Sequence, residues 1–332
     1  RPFVIVDAHA RIGDTWRTRW DGLRLFTPAG HDALPGLPLP GKAFRFPSKD
    51  EMADYLARYA EAFGLAVRTG SPVERLELAG GRYVARIRGG GAIEADNVVV
   101  ATGAFQKPRV PAFAPDLDPG IVQLHSSRYR NPDGLRDGAV LVVGPGNSGA
   151  DIALDLATAG RHTFLAGKHP GHLPIRTESW RGRMAFPLIW FVWTHILNIG
   201  TPVGRKVRPK ILAGPEPLIR VKPSDLERAG VERTPRVAGV TPAGLPLLDD
   251  GRILDVPNVI WATGYRPDFS WIAGVELDER GEPLQDRGVV EDLPGLFFLG
   301  REFQFAFNSH TVGGVGRDAE QLAGAIAARV AA

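Results

Sequence analysis

The chain has 332 residues, no cysteine, and a net charge of only +3 from 40 Lys/Arg against 37 Asp/Glu. These counts exclude disulfides, thiolate metal sites and a redox-active dithiol within this sequence, and the absence of a basic tail or nucleic-acid motif argues against nucleic acid as a partner. A hydrophobic content of 44% and a charged content of 23% are those of a globular chain able to bury a large core, and the length suits two domains or one large one.

In chain order, "RPFVIVDA" reads as a buried strand from its first residues, without a secretory leader, and it ends in the acid Asp7. In dinucleotide folds such an acid follows the phosphate-binding glycines by about 20 residues and takes the ribose hydroxyls. Counting back from Asp7 puts those glycines ahead of Arg1, so the expectation is an N-terminal nucleotide domain whose first strand, turn and helix are missing. The loop "GDTWRTRWDGLRLFTP" (Gly13–Pro28) carries two tryptophans and three arginines. Arginines there suit a pyrophosphate and aromatics a flat ring, but both residue types also build ordinary surfaces. "PSKDEMADYLARYAEAF" predicts a helix from a Ser48 cap to Phe63, with Met52, Tyr55, Leu56, Tyr59 and Phe63 on one face. Val73–Leu78, Arg82–Arg88 and Ala92–Glu94 read as a meander of short strands.

Two stretches then repeat each other. "NVVVATGAFQKPRVP" and "NVIWATGYRPDF" each run Asn-Val, two hydrophobic residues, then Ala-Thr-Gly. Each would mark where the chain leaves one nucleotide domain for the other. Between them lies the strongest motif, the strand Ala139–Val143 followed by Gly144-Pro145-Gly146-Asn147-Ser148-Gly149 and an amphipathic helix, with a second strand at His162–Ala166. The first glycine permits the tight turn, the second lets backbone approach a pyrophosphate, and the third packs helix on strand. After that second strand comes "GKHPGH". Cations at Lys168 and His172, where an acid would select NAD, favour the 2′-phosphate of NADP over a merely solvated basic loop. "MAFPLIWFVWTHILNI" (Met184–Ile199) is shorter than a membrane span. A core helix or an apolar channel wall is preferred for it over a membrane-surface helix, although Arg181, Arg183, Arg205, Lys206, Arg208 and Lys210 flank it. A last strand at Leu296–Leu299, Gly300 and a helix at Asp318–Val330 close the chain. No His/Asp/Glu cluster has metal-ligand spacing.

Gly13-Asp14-Thr15-Trp16, Leu25-Phe26-Thr27-Pro28, the two Ala-Thr-Gly turns, "GPGNSGADIA" and "GLFFLGREFQFAFNSHTVGGVGRDAEQLA" occur in the order found in the flavin-containing monooxygenase superfamily. The chain resembles its bacterial members that are similar to plant YUCCA-type enzymes, along nearly its whole length. Two departures are visible: Gly120 lies one residue too far ahead of His125 and Tyr129 for the family signature, and Asp7 stands where Glu is commoner.

The resemblance implies an α/β fold of two Rossmann-like domains: an FAD domain over residues 1–115, lacking its first βα unit, an inserted NADP domain over 116–257, and a return to the FAD domain over 258–332. It implies an NADPH-dependent monooxygenase, cytoplasmic, using FAD and O2 to oxygenate a small, largely apolar molecule through a flavin hydroperoxide. Expected cofactor contacts are Asp7, Gly13, Thr15, Trp16, Arg19, Leu25, Thr27, Val73, Ala101, Thr102, Gly103, Gly144, Gly146, Asn147, Ser148, Gly149, Lys168, His172, Ala262, Thr263, Gly264, Gly300 and Asp318. Thr27, His125 and His310 are candidates for the flavin or the cleft between domains, each also readable as a structural polar residue. Two alternatives stay open: an NADPH:acceptor flavin oxidoreductase without oxygen insertion, and a non-catalytic NADP-binding fragment.

Overall fold

The computed structural model describes residues 2–214 and 216–331. The first strand, β1 (Ile5–Val6), pairs in parallel with β2 (Val67–Arg68). Between them lie the short α1 (Asp14–Arg17) and α2 (Lys49–Ala62). The expected cap of α2 is present as a reciprocal box: the Ser48 hydroxyl accepts from the Glu51 amide, and the Glu51 carboxylate accepts from the Ser48 amide. The predicted meander follows as β3 (Val73–Ala79), β4 (Arg82–Ile87) and β5 (Ala92–Ala95), all antiparallel. Then β6 (Val98–Val100) leads to the first Ala-Thr-Gly turn and to β7 (Lys107–Pro108).

Next comes β8 (Val122–His125), then β9 (Val140–Val143), α3 (Asn147–Thr158) and β10 (Thr163–Ala166), the βαβ unit expected from the glycine motif. Helices α4 (Trp180–Phe191), α5 (Pro202–Ala213) and α6 (Pro223–Arg228) precede β11 (Glu232–Thr234). A hairpin of β12 (Val237–Val240) and β13 (Pro246–Leu248) leads to β14 (Asn258–Trp261). The chain ends with β15 (Tyr265–Arg266), β16 (Leu296–Phe298) and α7 (Gly316–Ala331).

The central sheet is wholly parallel and has the order β11-β10-β9-β14-β8. Its middle strands Val140–Val142 and Val259–Trp261 are almost fully buried, which is why they read as continuous apolar runs rather than alternating ones. β14 pairs on both sides within this sheet, with β9 and with β8. The other nucleotide fold comprises two parallel pairs, β1 with β2 and β6 with β16. Phe3, Val4 and Ile5 are exposed, as is Val99. The βα unit expected ahead of Arg1 lies outside the described residues.

The Ala-Thr-Gly repeat takes a definite form. β7, just after the first copy, pairs antiparallel with β15, just after the second, Tyr265 opposite Pro108 and Arg266 opposite Lys107. The two connections between the folds therefore run side by side as a two-stranded ribbon. One core cluster spans both folds: Trp20, Leu25, Met52 and Tyr55 from the first pack with Val140, Val142, Ile152 and Leu156 of the second.

Candidate functional site

The phosphate-binding turn is built as its glycines require. Gly144 has φ 105°, a region that L side chains rarely adopt, and an added Cβ would overlap the Ala262 carbonyl. A Cβ on Gly149 would overlap the Gly144 carbonyl, so that glycine sets the contact of α3 with β9. Gly146 differs: it caps α3 with an ordinary φ of −69°, and nothing lies within 4 Å of where its Cβ would be. The space beside Gly146 and the N-terminal amides of α3 is thus open to a phosphate. Ser148 sits in that first turn. Asn147 faces inward, its side chain donating to the Pro217 carbonyl at 3.2 Å and accepting from the Ile219 amide at 3.0 Å. That clamp holds the 217–219 loop against the helix start, leaving the backbone of Asn147 for a ligand.

Beyond β10, Gly167 has φ 125°, and a Cβ there would press on Pro145. Lys168 and His172 follow, and the His169 and His172 rings meet edge-on at 5.5 Å. Sequence reasoning missed a further cation, Arg233 on β11. Its Nη2 donates to the Gly167 carbonyl at 2.9 Å, while its buried Nη1 has no protein partner. Burial lowers its pKa. Only the pairing of β11 with β10 brings Arg233 to this loop.

On the other fold, Asp7 stands at the end of β1 and accepts from the His9 amide at 2.7 Å. Val73 opens β3 nearby, where the Ser71 amide bonds the Asp7 carbonyl. Gly13 has φ 86°, and its lack of a Cβ admits the Ala53 backbone of α2, so its role is the close approach of two helices. Thr15 and Trp16 lie in α1, Trp16 packing on the shared core, and Leu25 is in that core. Arg19 has partners within the protein. It donates to the Tyr265 hydroxyl at 2.9 Å and stacks over Phe105 and Tyr265, 5.4 and 6.0 Å from the ring centroids. Both rings follow the Ala-Thr-Gly turns, so Arg19 fastens the two connections together.

The Ala-Thr-Gly residues divide in the same way. Ala101 and Thr102 follow β6, and the Thr102 hydroxyl accepts from Gln106 at 2.8 Å. Ala262 donates its amide to Val143 at 2.8 Å, and Thr263 donates to the Arg109 carbonyl. Gly103, Gly264 and Gly300 have φ of 69°, 80° and 77°, and open space lies where each Cβ would be. The buried Arg301 grips Glu282 with two bonds, 2.9 and 2.6 Å, and donates to the Gly103 carbonyl. It ties the turn after β16 to the turn after β6.

His125 and Tyr129 act as joints between elements. His125 Nε2 is 3.0 Å from the Gly264 carbonyl, Nδ1 is 3.0 Å from Ser127 Oγ, and the ring meets Tyr265 edge-on. Burial, with Arg19 nearby, lowers its pKa despite the Gly264 bond, so it is neutral near pH 7 and donates to that carbonyl. Tyr129, fully buried, donates to Asp155 on α3 at 2.7 Å.

Thr27 donates to Asp32, which the sequence did not single out. Asp32 is 1% exposed, its Oδ2 has no partner, and burial pushes its carboxyl up to about 7. Nothing in "PAGHDALPG" marks this acid as buried, because aspartate is common in such turns. The adjacent His31 ring packs on Phe186 and Trp190, at 5.0 and 4.8 Å. These join Trp193, Phe26, Ile219 and Phe307 in an apolar cluster. His310 pairs with Glu216 at 3.0 Å. Burial works against the imidazolium, but the Glu216 bond and charge carry its pKa above the usual value. Asp318, also buried, lies in the first turn of α7 and is held up in pKa mainly by burial, with Ser309 as its hydrogen-bond partner. The Ser309 hydroxyl in turn takes the Phe305 and Ala306 amides, fixing the loop that carries His310.

The comparisons with known proteins agree with this geometry. The profile of the pyridine nucleotide-disulphide oxidoreductase family matches residues 2–177. A CzcO-like oxidoreductase of Geobacillus kaustophilus is 38% identical over 322 residues, 96% of this chain and 90% of that protein. Indole-3-pyruvate monooxygenase YUCCA1 of Oryza sativa is 30% identical, over 82% of this chain and 73% of that protein. The flavin-containing monooxygenase from Stenotrophomonas maltophilia superposes with a TM-score of 0.76 at 27% identity, covering 98% of this chain and 90% of its own. The profile match and these relatives show that the chain belongs to the pyridine nucleotide-disulphide oxidoreductase family, among its FAD- and NADP-dependent flavin monooxygenases.

Proposed function

We propose that the chain is an NADPH-dependent FAD monooxygenase acting on a small, largely apolar organic molecule. The observation that carries this reading is the ribbon of β7 and β15, which brings the Gly103, Gly264 and Gly300 turns of both folds to one junction. Hydride acceptance and dioxygen activation are the chemistry that FAD supplies when bound.

The chain's own residues bind, orient and exclude water. Gly146, Ser148 and the amides of α3 take the pyrophosphate of NADP, and Lys168, His172 and the free Nη1 of Arg233 take its 2′-phosphate. Asp7 takes the ribose of FAD. The turns at Gly13–Trp16, Leu25–Thr27, Gly103, Gly300 and Asp318 shape the flavin's surroundings through the contacts above. His125, Arg19 and Arg301 are positioning residues that hold the Gly264 and Gly103 turns. Thr27 with Asp32, and His310 with Glu216, can each hold a proton at an oxygen or nitrogen near neutral pH. The cluster of Phe26, Phe186, Trp190, Trp193 and Phe307 offers an apolar wall for the substrate.

The test is stoichiometry. The chain is given FAD and desalted, and retained flavin is read by absorbance. NADPH consumed, O2 consumed and oxygenated product are then counted together. One oxygen atom in product for each NADPH supports the reading. Peroxide as the only oxygen product supports the acceptor-oxidoreductase alternative, and absence of retained flavin removes the monooxygenase reading for this chain.

A further inference from the structure

Helix α4 carries apolar residues on opposite sides, yet only one side of it is buried. Phe186 is fully enclosed, and the line continues through the π-helical turn Val192–Ile196 to Trp193. These residues pack with Ile219, Phe26 and Phe307. On the opposite side, Trp180, Met184, Leu188 and Phe191 follow one another at spacings of four, four and three residues and so form a single stripe. They are 67%, 75%, 66% and 51% exposed. A contiguous exposed apolar stripe marks a surface that meets something.

The charges around the stripe indicate what it meets. From Ser179 to Gly214 there is no Asp or Glu, while Arg181, Arg183, Arg205, Lys206, Arg208 and Lys210 are present. None of the six forms an ion pair among the described residues. Arg181 and Arg183 sit on α4 beside the stripe, and the Arg181 guanidinium lies 5.3 Å from the centre of the Trp180 ring. Along α5 the exposed Val203, Lys206 and Lys210 share one face. Outside this segment 34 cations face 37 acids, so the segment is a cationic region on an otherwise slightly acidic molecule.

We infer that α4 and α5 form a docking surface for an anionic lipid bilayer, the stripe entering the headgroup boundary and the flanking cations meeting lipid phosphates. A second copy of the chain fits poorly, because a self-complementary contact through this face would bring two such cationic surfaces together without an acid. Among the described residues no helix is long and apolar enough to cross a membrane, so the contact lies on the surface. The buried side of α4 belongs to the apolar cluster beside His31, about one helix diameter, ~10 Å, from the lipid. An apolar substrate dissolved in the bilayer would reach that cluster without crossing water.

The test is flotation of the full chain with phosphatidylcholine vesicles, with and without phosphatidylglycerol. The expected result is co-flotation with the anionic vesicles that weakens as salt is raised. Lys206→Gln and Lys210→Gln should each lower the partition coefficient about fivefold. Met184→Glu with Leu188→Glu should abolish co-flotation, with thermal melting unchanged because both side chains are exposed. Brominated acyl chains should quench the tryptophan emission, and Trp180→Phe should remove most of that quenching, a readout that stands even where the glutamate variant fails to fold. Absence of co-flotation, equal binding to neutral vesicles, or no loss of quenching in Trp180→Phe would overturn the inference. So would a dimer in solution that the glutamate pair dissociates.

Discussion

Replacing Asp32 by Asn tests the chemistry of the Thr27 loop directly. Asp32 is buried, accepts from Thr27, and has a carboxyl pushed up to about 7 from an ordinary value of 3.8, chiefly by burial. A raised acid pKa means that the folded state holds a proton that the unfolded chain has already released. Stability from this residue is therefore greatest at low pH and falls as pH rises from about 4 through about 7. Some three pKa units at about 1.4 kcal/mol each make the full loss about 4 kcal/mol. Asparagine keeps the shape and the acceptor for Thr27 but cannot ionise. The stability of Asp32→Asn relative to the parent should thus climb with pH by up to about 4 kcal/mol and level off above about pH 8. Urea unfolding followed by tryptophan fluorescence, run on both proteins across that range, measures the difference and cancels the other titrating groups. A difference that stays flat with pH would refute the assignment and would mean that Asp32 remains ionised when folded.

Other predictions follow from the turns and joints. Gly146→Ala should fold normally, because its φ suits alanine and its Cβ would meet open space, yet weaken NADPH binding by about 1–3 kcal/mol if the pyrophosphate lies against it; titration of NADPH fluorescence checks this. Gly149→Ala should instead destabilise the fold by several kcal/mol, since its Cβ would overlap the Gly144 carbonyl, and calorimetry would show it. His125→Ala should cost about 1–2 kcal/mol of stability by freeing the Gly264 carbonyl, while His125→Gln recovers part of that, and neither should remove an ionisation from the pH–rate profile. Glu216→Gln should destabilise by about 1–3 kcal/mol at pH 6, and the effect should fade as pH rises past the raised pKa of His310, because that pair contributes only while the imidazole is protonated; thermal melts across pH measure it.

The elements that sequence pattern disclosed are those whose cause is local. The Ser48–Glu51 box, the buried β9 and β14, and the glycines of the α3 turn each combine a required backbone geometry with a run of neighbours that demands it. The Ala-Thr-Gly repeat was legible for the same reason, but the pairing of its two copies was not, since it depends on residues some 150 positions apart. The same distance hid the true partners of the named side chains. The neighbourhood of Arg19 suggested a pyrophosphate contact but gave no sign of its bond to Tyr265. His125 and Tyr129 sit in a signature-like stretch and serve as joints to Gly264 and Asp155. Asp32 and Arg233 stayed unseen because only burial and strand pairing distinguish them from ordinary loop and edge charges. Helix α4 was legible only in part: the amount of apolar residue was visible, but not that Trp180, Met184, Leu188 and Phe191 lie exposed.

The ribbon of β7 and β15 bears on motion as well as on layout. Two strands hydrogen-bonded side by side resist being pulled apart or slid past one another. Both covalent crossings are bundled into that one strip, Arg19 rivets the aromatic rings beside it, and the core of Trp20, Met52 and Tyr55 with Val142 and Ile152 runs across the same boundary. The two halves are thereby held in one register by packing as well as by the strip. A ring delivered across the junction would find its alignment set by that register rather than by the grip on the ring itself.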